Sequence, residues 1–172
     1  LSIVLHIILG IFVVVLIEAS VPFLIEHVIN IPQGYTEIVR LLFHYLAVSI
    51  CFTIIAVPFD AVLNSYENMA AFSIFGIIES LMRLAIALAI QYIDITGRLN
   101  FYGYCSMFIA LAILLLKYIY TSRRYKHLSL SYKYCKNKKL FFELCGFAGW
   151  NTLNSIAIIG RNQGIALTLN HF

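Results

Sequence analysis

Long apolar stretches separated by short polar breaks make up most of this chain. A helix rising 1.5 Å per residue needs roughly 20 residues to cross the hydrocarbon layer of a bilayer. The first stretch, Leu1 to about Phe23, has no charge until Glu18; Glu18, Glu26 and His27 crowd its far end, and Ile31-Pro32-Gln33-Gly34 closes it. Proline lacks an N–H and glycine tolerates positive φ, so that break is a turn, and Pro22 is placed to kink or break the last turns of the helix. The second stretch runs from about Tyr35 to Val57, with Glu37 and Arg40 at its start and Pro58 to end or kink it. A polar connector, Asp60 to Met69, leads to a third stretch at about Ala70 to Tyr92. The turn Asp94-Ile95-Thr96-Gly97-Arg98 leads to a fourth, Leu99 to about Tyr120. A fifth lies between Leu140 and about Leu169, uncharged from Leu144 to Gly160. The pattern predicts an all-α integral membrane protein of about five transmembrane helices, with no soluble domain and no internal repeat.

Composition agrees. Of 172 residues, 62% are hydrophobic and 12% charged, and the mean hydropathy is +0.90. Soluble domains run nearer 45–50% apolar and about 25% charged, so lipid is the expected solvent for most of this surface. The chain opens on Leu1 inside an apolar run, without a basic n-region or a small-residue cleavage site, and stops in mid-pattern at Leu169-Asn170-His171-Phe172. It reads as an internal segment of a longer membrane protein. Cys51, Cys105, Cys135 and Cys145 stand singly, with no C-x-x-C and no Cys/His set at metal spacing; they read as small hydrophobes.

Charge then fixes orientation. Lys117, Arg123, Arg124, Lys126, Lys133, Lys136, Lys138 and Lys139 are eight of the twelve Lys and Arg, with no acidic residue among them. A basic run can bind phosphates, but this one lies between segments too apolar for a nucleic-acid-binding protein. By the positive-inside rule it is a cytoplasmic loop. The expected order is four spans over 1–120, a basic loop over 121–139, and a further span in 140–172. Asp94–Arg98 then lies outside, Asp60–Met69 inside, Ile31–Gly34 outside, and Leu1 starts inside.

Polar residues at membrane depth are costly and mark a lumen or a partner. Glu79 and Arg83, four apart in the third span, share a helix face. They read either as an ion pair that lets the helix insert or as one wall of a polar cavity, with Arg83 open to an anionic substrate. In the last span Asn151, Asn154 and Arg161 fall near one face, followed by Asn162 and Gln163. These read either as interhelical hydrogen bonding with Arg161 reaching the outer surface, or as a second cavity wall. His6 and His44 each stand alone on an apolar span and read as packing histidines. No nucleophile elbow, P-loop, dinucleotide fingerprint, metalloprotease motif or acid–base carboxylate pair is present. The expectation is therefore not an enzyme, with no cofactor and no metal.

The segments Ile31-Pro32, Val57-Pro58-Phe59-Asp60-Ala61, Glu67-Asn68-Met69, Glu79…Arg83-Leu84 and Gly149-Trp150-Asn151…Ser155-Ile156-Ala157…Asn162-Gln163-Gly164…Leu169-Asn170 resemble, in order and spacing, those of bacterial polysaccharide flippases. These are the O-antigen and capsule type exporters of the multidrug/oligosaccharidyl-lipid/polysaccharide superfamily, including the lipopolysaccharide biosynthesis proteins and multidrug-and-toxin-extrusion-like transporters of Bacteroides-type bacteria. The resemblance implies part of a fold of two six-helix lobes, comprising helices three to six, the interlobe loop and helix seven. It implies alternating access in the bacterial inner membrane. The implied substrate is an undecaprenyl-pyrophosphate-linked oligosaccharide, met by cavity cations at Arg83 and Arg161, with Glu79 as a candidate for a coupling ion. Two other readings stay open. One is an H⁺- or Na⁺-coupled multidrug exporter of the same fold; the other is a membrane enzyme of polysaccharide assembly, which would need larger outer loops. A purely structural membrane subunit is disfavoured by the midspan charges.

Overall fold

The computed structural model describes residues 2–28 and 34–125, with Gly146 alone beyond them. Both segments belong to one compact unit, Ser2–Ser129. They form four α-helices: α1 (Ser2–Phe23), α2 (Thr36–Ser65), α3 (Met69–Ala89) and α4 (Ile95–Arg124). A π-helical turn, Leu24–Val28, extends α1, and a 3₁₀ turn, Ile90–Tyr92, extends α3. All four helices are long and apolar enough to cross a membrane, and no strand occurs among the described residues. The all-α, membrane-spanning class expected from the sequence holds for these residues. Asn151, Asn154, Arg161, Gln163, the basic residues Lys126, Lys133, Lys136, Lys138 and Lys139, and the fifth span all lie outside the described residues.

Helix α2 is the hub, packing most extensively on α4, then on α1, and least on α3. About a third of its apolar window is buried (33%) against 6% for α1, so α2 and α4 supply the core while α1 and α3 present surface. Small residues make this possible. Ala47, Ser49 and Ala56 on α2 and Gly103, Ser106 and Ala110 on α4 are buried. Without a strong hydrophobic drive between helices in lipid, such residues let backbones approach and gain dispersion contact. A Cβ at Gly103 would stand 2.9 Å from Leu42 Cδ1 and 3.0 Å from Tyr45 Cδ2.

The register of α2 on α4 is constant. Ser49 Oγ donates to the Ser106 carbonyl at 3.3 Å, Lys117 Nζ to Asp60 Oδ2 at 2.8 Å, and Asn68 Nδ2 to the Tyr125 hydroxyl at 2.9 Å, and each pair is 57 residues apart. A fixed sequence offset means the two helices run parallel, as they must when a single helix, α3, connects them.

The connection from α2 to α3 is built tightly. Asn68 caps α3, its Oδ1 accepting from the Ala71 N–H at 3.3 Å while its Nδ2 donates to Tyr120 and Tyr125. An asparagine is well suited to satisfy an orphan N–H at a helix start. Leu63, Ala71 and Phe75 close a core under Tyr120 and Tyr125 at this end of the bundle. Glu67 adopts φ 52°, in the left-handed region that glycine favours.

Two element ends differ from the sequence expectation. Pro58 neither ends α2 nor begins a connector; the helix runs on to Ser65, and the link is Tyr66–Asn68. A proline inside a membrane helix is tolerated when neighbouring elements hold the segment, and Pro58 is itself buried against the bundle. Lys117 heads the basic run but falls within the fourth span, whose end lies beyond the expected Tyr120. It lies inside α4, which continues to Arg124 and carries Arg123 and Arg124 exposed in its last turn, where cations complement the helix dipole.

Candidate functional site

Three helices bring four ionisable side chains together toward the Asn68 end of the bundle. On α2, Thr53, Ala56, Val57 and Asp60 recur at helical spacing on one face. On α4, Ala110, Ile113 and Lys117 do the same, and α3 contributes Glu79. These eight residues line a cleft of about 80 Å³. A water's share of liquid volume is about 30 Å³, so the cleft has room for two or three waters or one small ion. It cannot enclose a sugar head group, since pockets for such ligands run to about 300 Å³ or more.

The Asp60–Lys117 pair is the buried part of the site. Lys117 Nζ lies 2.7 Å from Oδ1 and 2.8 Å from Oδ2, and the side chains are only 12% (Lys117) and 25% (Asp60) exposed. Helix register dictates this. Asp60 belongs to the α2 face that carries Ser49 and Leu63, and Lys117 to the α4 face that carries Ser106 and Ala110. The 57-residue offset sets one directly against the other. Oδ1 is buried and has no hydrogen bond beyond this ionic contact. Phe59 covers the pair's flank, packing edge-on against Tyr118 at 5.8 Å between ring centres.

The Glu79–Arg83 pair is the exposed part. The ion pair expected from the i, i+4 spacing is formed: Arg83 Nε and Nη2 both donate to Glu79 Oε1, at 3.0 and 2.8 Å. One carboxylate oxygen takes both bonds, and Oε2 takes none from Arg83. Three of the five guanidinium N–H groups have no partner among the described residues. Arg83 is half exposed and makes no hydrogen bond to α2 or α4 among the described residues. Along this outward face of α3, Ser73, Gly76, Ser80, Arg83 and Ala87 follow at spacings of three and four, and every one is exposed. A Cβ added at Gly76 would meet nothing within 4 Å. The face of α3 that packs on the bundle carries the buried Ala71, Phe75 and Ile86, while Ile77, Leu81, Leu84 and Leu88 are exposed beside the Ser73–Ala87 row.

Glu79 therefore joins two surfaces: the cleft it lines with Asp60 and Lys117, and the outward face it shares with Arg83. The two carboxylates and two cations balance in formal charge, so the cluster as a whole can sit at membrane depth while one of its cations still presents unused donors. No set of three His, Cys, Asp or Glu residues able to hold a metal ion occurs among the described residues.

Sequence reasoning found Glu79 and Arg83 because their contact is local. It missed the Asp60–Lys117 pair, having placed Asp60 in a connector after Pro58 and read Lys117, near the end of the fourth span, only as the head of the basic run. It also missed that His44 is not alone: its Nδ1 lies 2.6 Å from Glu18 Oε1 on α1. A signal for that pair was present, because Glu18 and His44 are equidistant in sequence from Ile31, where the pattern predicts the break between two successive spans. His6 is a local contact instead, its Nδ1 lying 2.7 Å from the Ser2 carbonyl.

Comparison of the chain with protein families, with curated proteins and with solved structures finds no match.

Proposed function

We propose that this chain is part of a multi-pass transporter that moves a lipid-linked oligosaccharide, a polysaccharide precursor carried on undecaprenyl pyrophosphate, across the bacterial inner membrane by alternating access. The observation that supports this reading is Arg83. A guanidinium with three unpartnered N–H groups on an outward helix face cannot be left against hydrocarbon, where every unmet polar group costs several kcal/mol. It calls for a polar lumen or an anion. A pyrophosphate supplies oxygens that a guanidinium meets in bidentate fashion, and such bonds strengthen where water is excluded. The same face carries Ser73, Gly76 and Ser80, which add hydroxyls and room between the exposed apolar side chains Phe72, Ile77 and Leu84. In this reading the lipid tail stays in the bilayer while the head group crosses along a polar surface that replaces water. The Asn68 end of the bundle, with Arg123, Arg124 and the basic stretch beyond, is cytoplasmic by the positive-inside rule.

A second reading is favoured by a different observation. Asp60 and Glu79 line one small cleft, and two carboxylates there suit an H⁺- or Na⁺-coupled exporter of cationic small molecules. The two readings separate in proteoliposomes carrying the full-length protein. Arg83→Ala abolishes movement of a fluorescent undecaprenyl-pyrophosphate oligosaccharide under the first reading and leaves uptake of a cationic dye unchanged. Normal oligosaccharide movement by Arg83→Ala, or by Arg83→Ala combined with Arg161→Ala, overturns the first reading.

A further inference from the structure

The Glu18–His44 contact lies at the opposite end of the bundle from the cleft and takes no part in the function proposed above. It is the one ion pair among the described residues that joins α1 to α2, with Nδ1 to Oε1 at 2.6 Å and side chains 33% (Glu18) and 46% (His44) exposed. It joins a carboxylate to an imidazole, where the other ion pairs among the described residues use arginine or lysine.

Helix α1 is mechanically weak at this point. Pro22 has no N–H for the carbonyl four residues back, and that residue is Glu18, so the backbone rung is missing where the side chain reaches across. Two residues earlier Ser20 Oγ donates to the Leu16 carbonyl at 2.7 Å, a back-bond that bends helices. Directly after Pro22 and Phe23 the chain widens into the π-helical turn Leu24–Val28, a form that recurs at functional sites. Proline, back-bond and π-turn follow within about two turns of the titratable contact, and α1 packs on α2 alone among the other three helices.

We infer that Glu18 and His44 form a proton-binding site that clamps α1 onto α2 when it holds one proton and releases α1 when that proton is lost or a second is added. With one proton the pair is electrically neutral, whether written as imidazolium and carboxylate or as neutral partners. With none it carries a net negative charge, and with two a net positive charge, at a seam otherwise made of Gly10, Val13, Ile17 and Val21 on α1. Uncompensated charge there is relieved by admitting water, and the missing rung lets α1 swing to do so. The neighbouring groups do not neutralise it. On α2, Arg40 is taken by Glu37 at 3.5 Å, and Tyr45 packs edge-on against Tyr104 of α4 at 6.1 Å between ring centres. Arg98 of α4 donates to the Ile93 carbonyl at 2.9 Å. His27 of the π-turn stacks on Phe23 at 5.0 Å. None of these makes an ion pair with Glu18 or His44 among the described residues.

The chain carries its own reporter. Cys51 Sγ lies against α1, 3.0 Å from where a Cβ on Gly10 would stand, while Cys105 packs with Ile86, Ile109 and Ile113 between α3 and α4. In the full chain in lipid bilayers, N-ethylmaleimide modification of Cys51 relative to Cys105, read by peptide mass spectrometry, measures opening of the α1–α2 seam with thiolate chemistry divided out. Across about pH 4 to pH 9, which spans the ordinary carboxylate and imidazole ranges, the ratio passes through a minimum and rises severalfold on each side. The E18Q/H44Q variant, neutral at every pH, gives a flat profile. A flat ratio in the unaltered protein, or the same minimum in E18Q/H44Q, overturns the clamp. The unaltered protein alone decides the matter if that variant does not fold. Because no transport is measured, failure of the clamp and failure of the oligosaccharide reading are distinguishable.

Discussion

The seam between α2 and α4 and the outward face of α3 are made of the same ingredients and do opposite things. Each has a run of small residues at alternating spacings of three and four, and each has one carboxylate–cation pair. In the seam the small residues let two backbones meet, Gly103 standing against Leu42 and Tyr45, and the Asp60–Lys117 pair is locked between helices, with Lys117 only 12% exposed. On α3 the small residues meet nothing, Gly76 having open space beside it, and the Glu79–Arg83 pair spans a single helix with unused donors turned outward. An ion pair whose two members come from different helices fixes the position of those helices. One whose members come from the same helix fixes nothing beyond its own rotamers. The first is therefore architecture, and the second is a polar surface awaiting something to contact.

The contrast is sharpest for stability. Lys117→Met strands Asp60 in the seam without its cation, and breaking a buried pair from one side costs about 3–5 kcal/mol, less whatever protonation of the carboxylate recovers. Unfolding in mixed micelles should register the loss, and D60N/K117M should recover most of it, since an apolar or neutral replacement of the whole pair is close to neutral. If K117M unfolds no earlier than the unaltered protein, the seam is held by packing alone and the distinction between the two pairs collapses.

Next in size is a test of the small residues. Gly103→Ala forces a Cβ to 2.9 Å from Leu42 Cδ1 and 3.2 Å from Tyr45 Cβ. Overpacking of this kind costs about 1–3 kcal/mol as the helices move apart. Gly76→Ala meets no neighbour and replaces the weaker helix former, so the same chemical change should leave stability level or raise it by up to about 1 kcal/mol. Equal losses at both positions would mean that α3's outward face is as closely packed as the seam, and that Arg83 is not open to a ligand.

How much of this was legible beforehand follows from the range of each contact. Helix α1 could be read directly, because an uncharged run bounded by Glu18 and a Pro-Gly turn needs no partner to be seen. The Glu79–Arg83 pair could be read because four residues make one turn. Asp60–Lys117 could not, since its meaning depends on the offset between two helices that share no turn, and that offset is set by the length of α3 and its connectors. The ends of α2 and α4 were misplaced for a related reason. Pro58 and Lys117 break the apolar pattern when taken one residue at a time, and become acceptable inside a helix only once the bundle buries the one and neutralises the other. Glu18–His44 stood between these cases, visible as two residues equidistant from Ile31 but indistinguishable by pattern from two isolated polar residues.

The smallest stability effect belongs to Arg83, and its smallness is the point. An i, i+4 pair on an accessible helix face contributes about 0.3–0.5 kcal/mol in water, and here one carboxylate oxygen takes both bonds while the guanidinium stays half exposed (49%). Arg83→Ala should therefore shift unfolding in micelles by no more than about 0.5 kcal/mol, within reach of careful thermal midpoints and far below the Lys117→Met loss. Transport of the pyrophosphate-linked substrate should nonetheless vanish. Lysine at position 83 keeps the charge but loses the planar fork, so Arg83→Lys should restore part of the activity rather than all of it. A residue cheap to remove from the fold and costly to remove from the activity is one retained for a ligand. Should Arg83→Ala instead destabilise the protein as much as Lys117→Met does, Arg83 has a structural partner on this face, and the polar surface of α3 is one more seam of the bundle rather than the wall of a pathway.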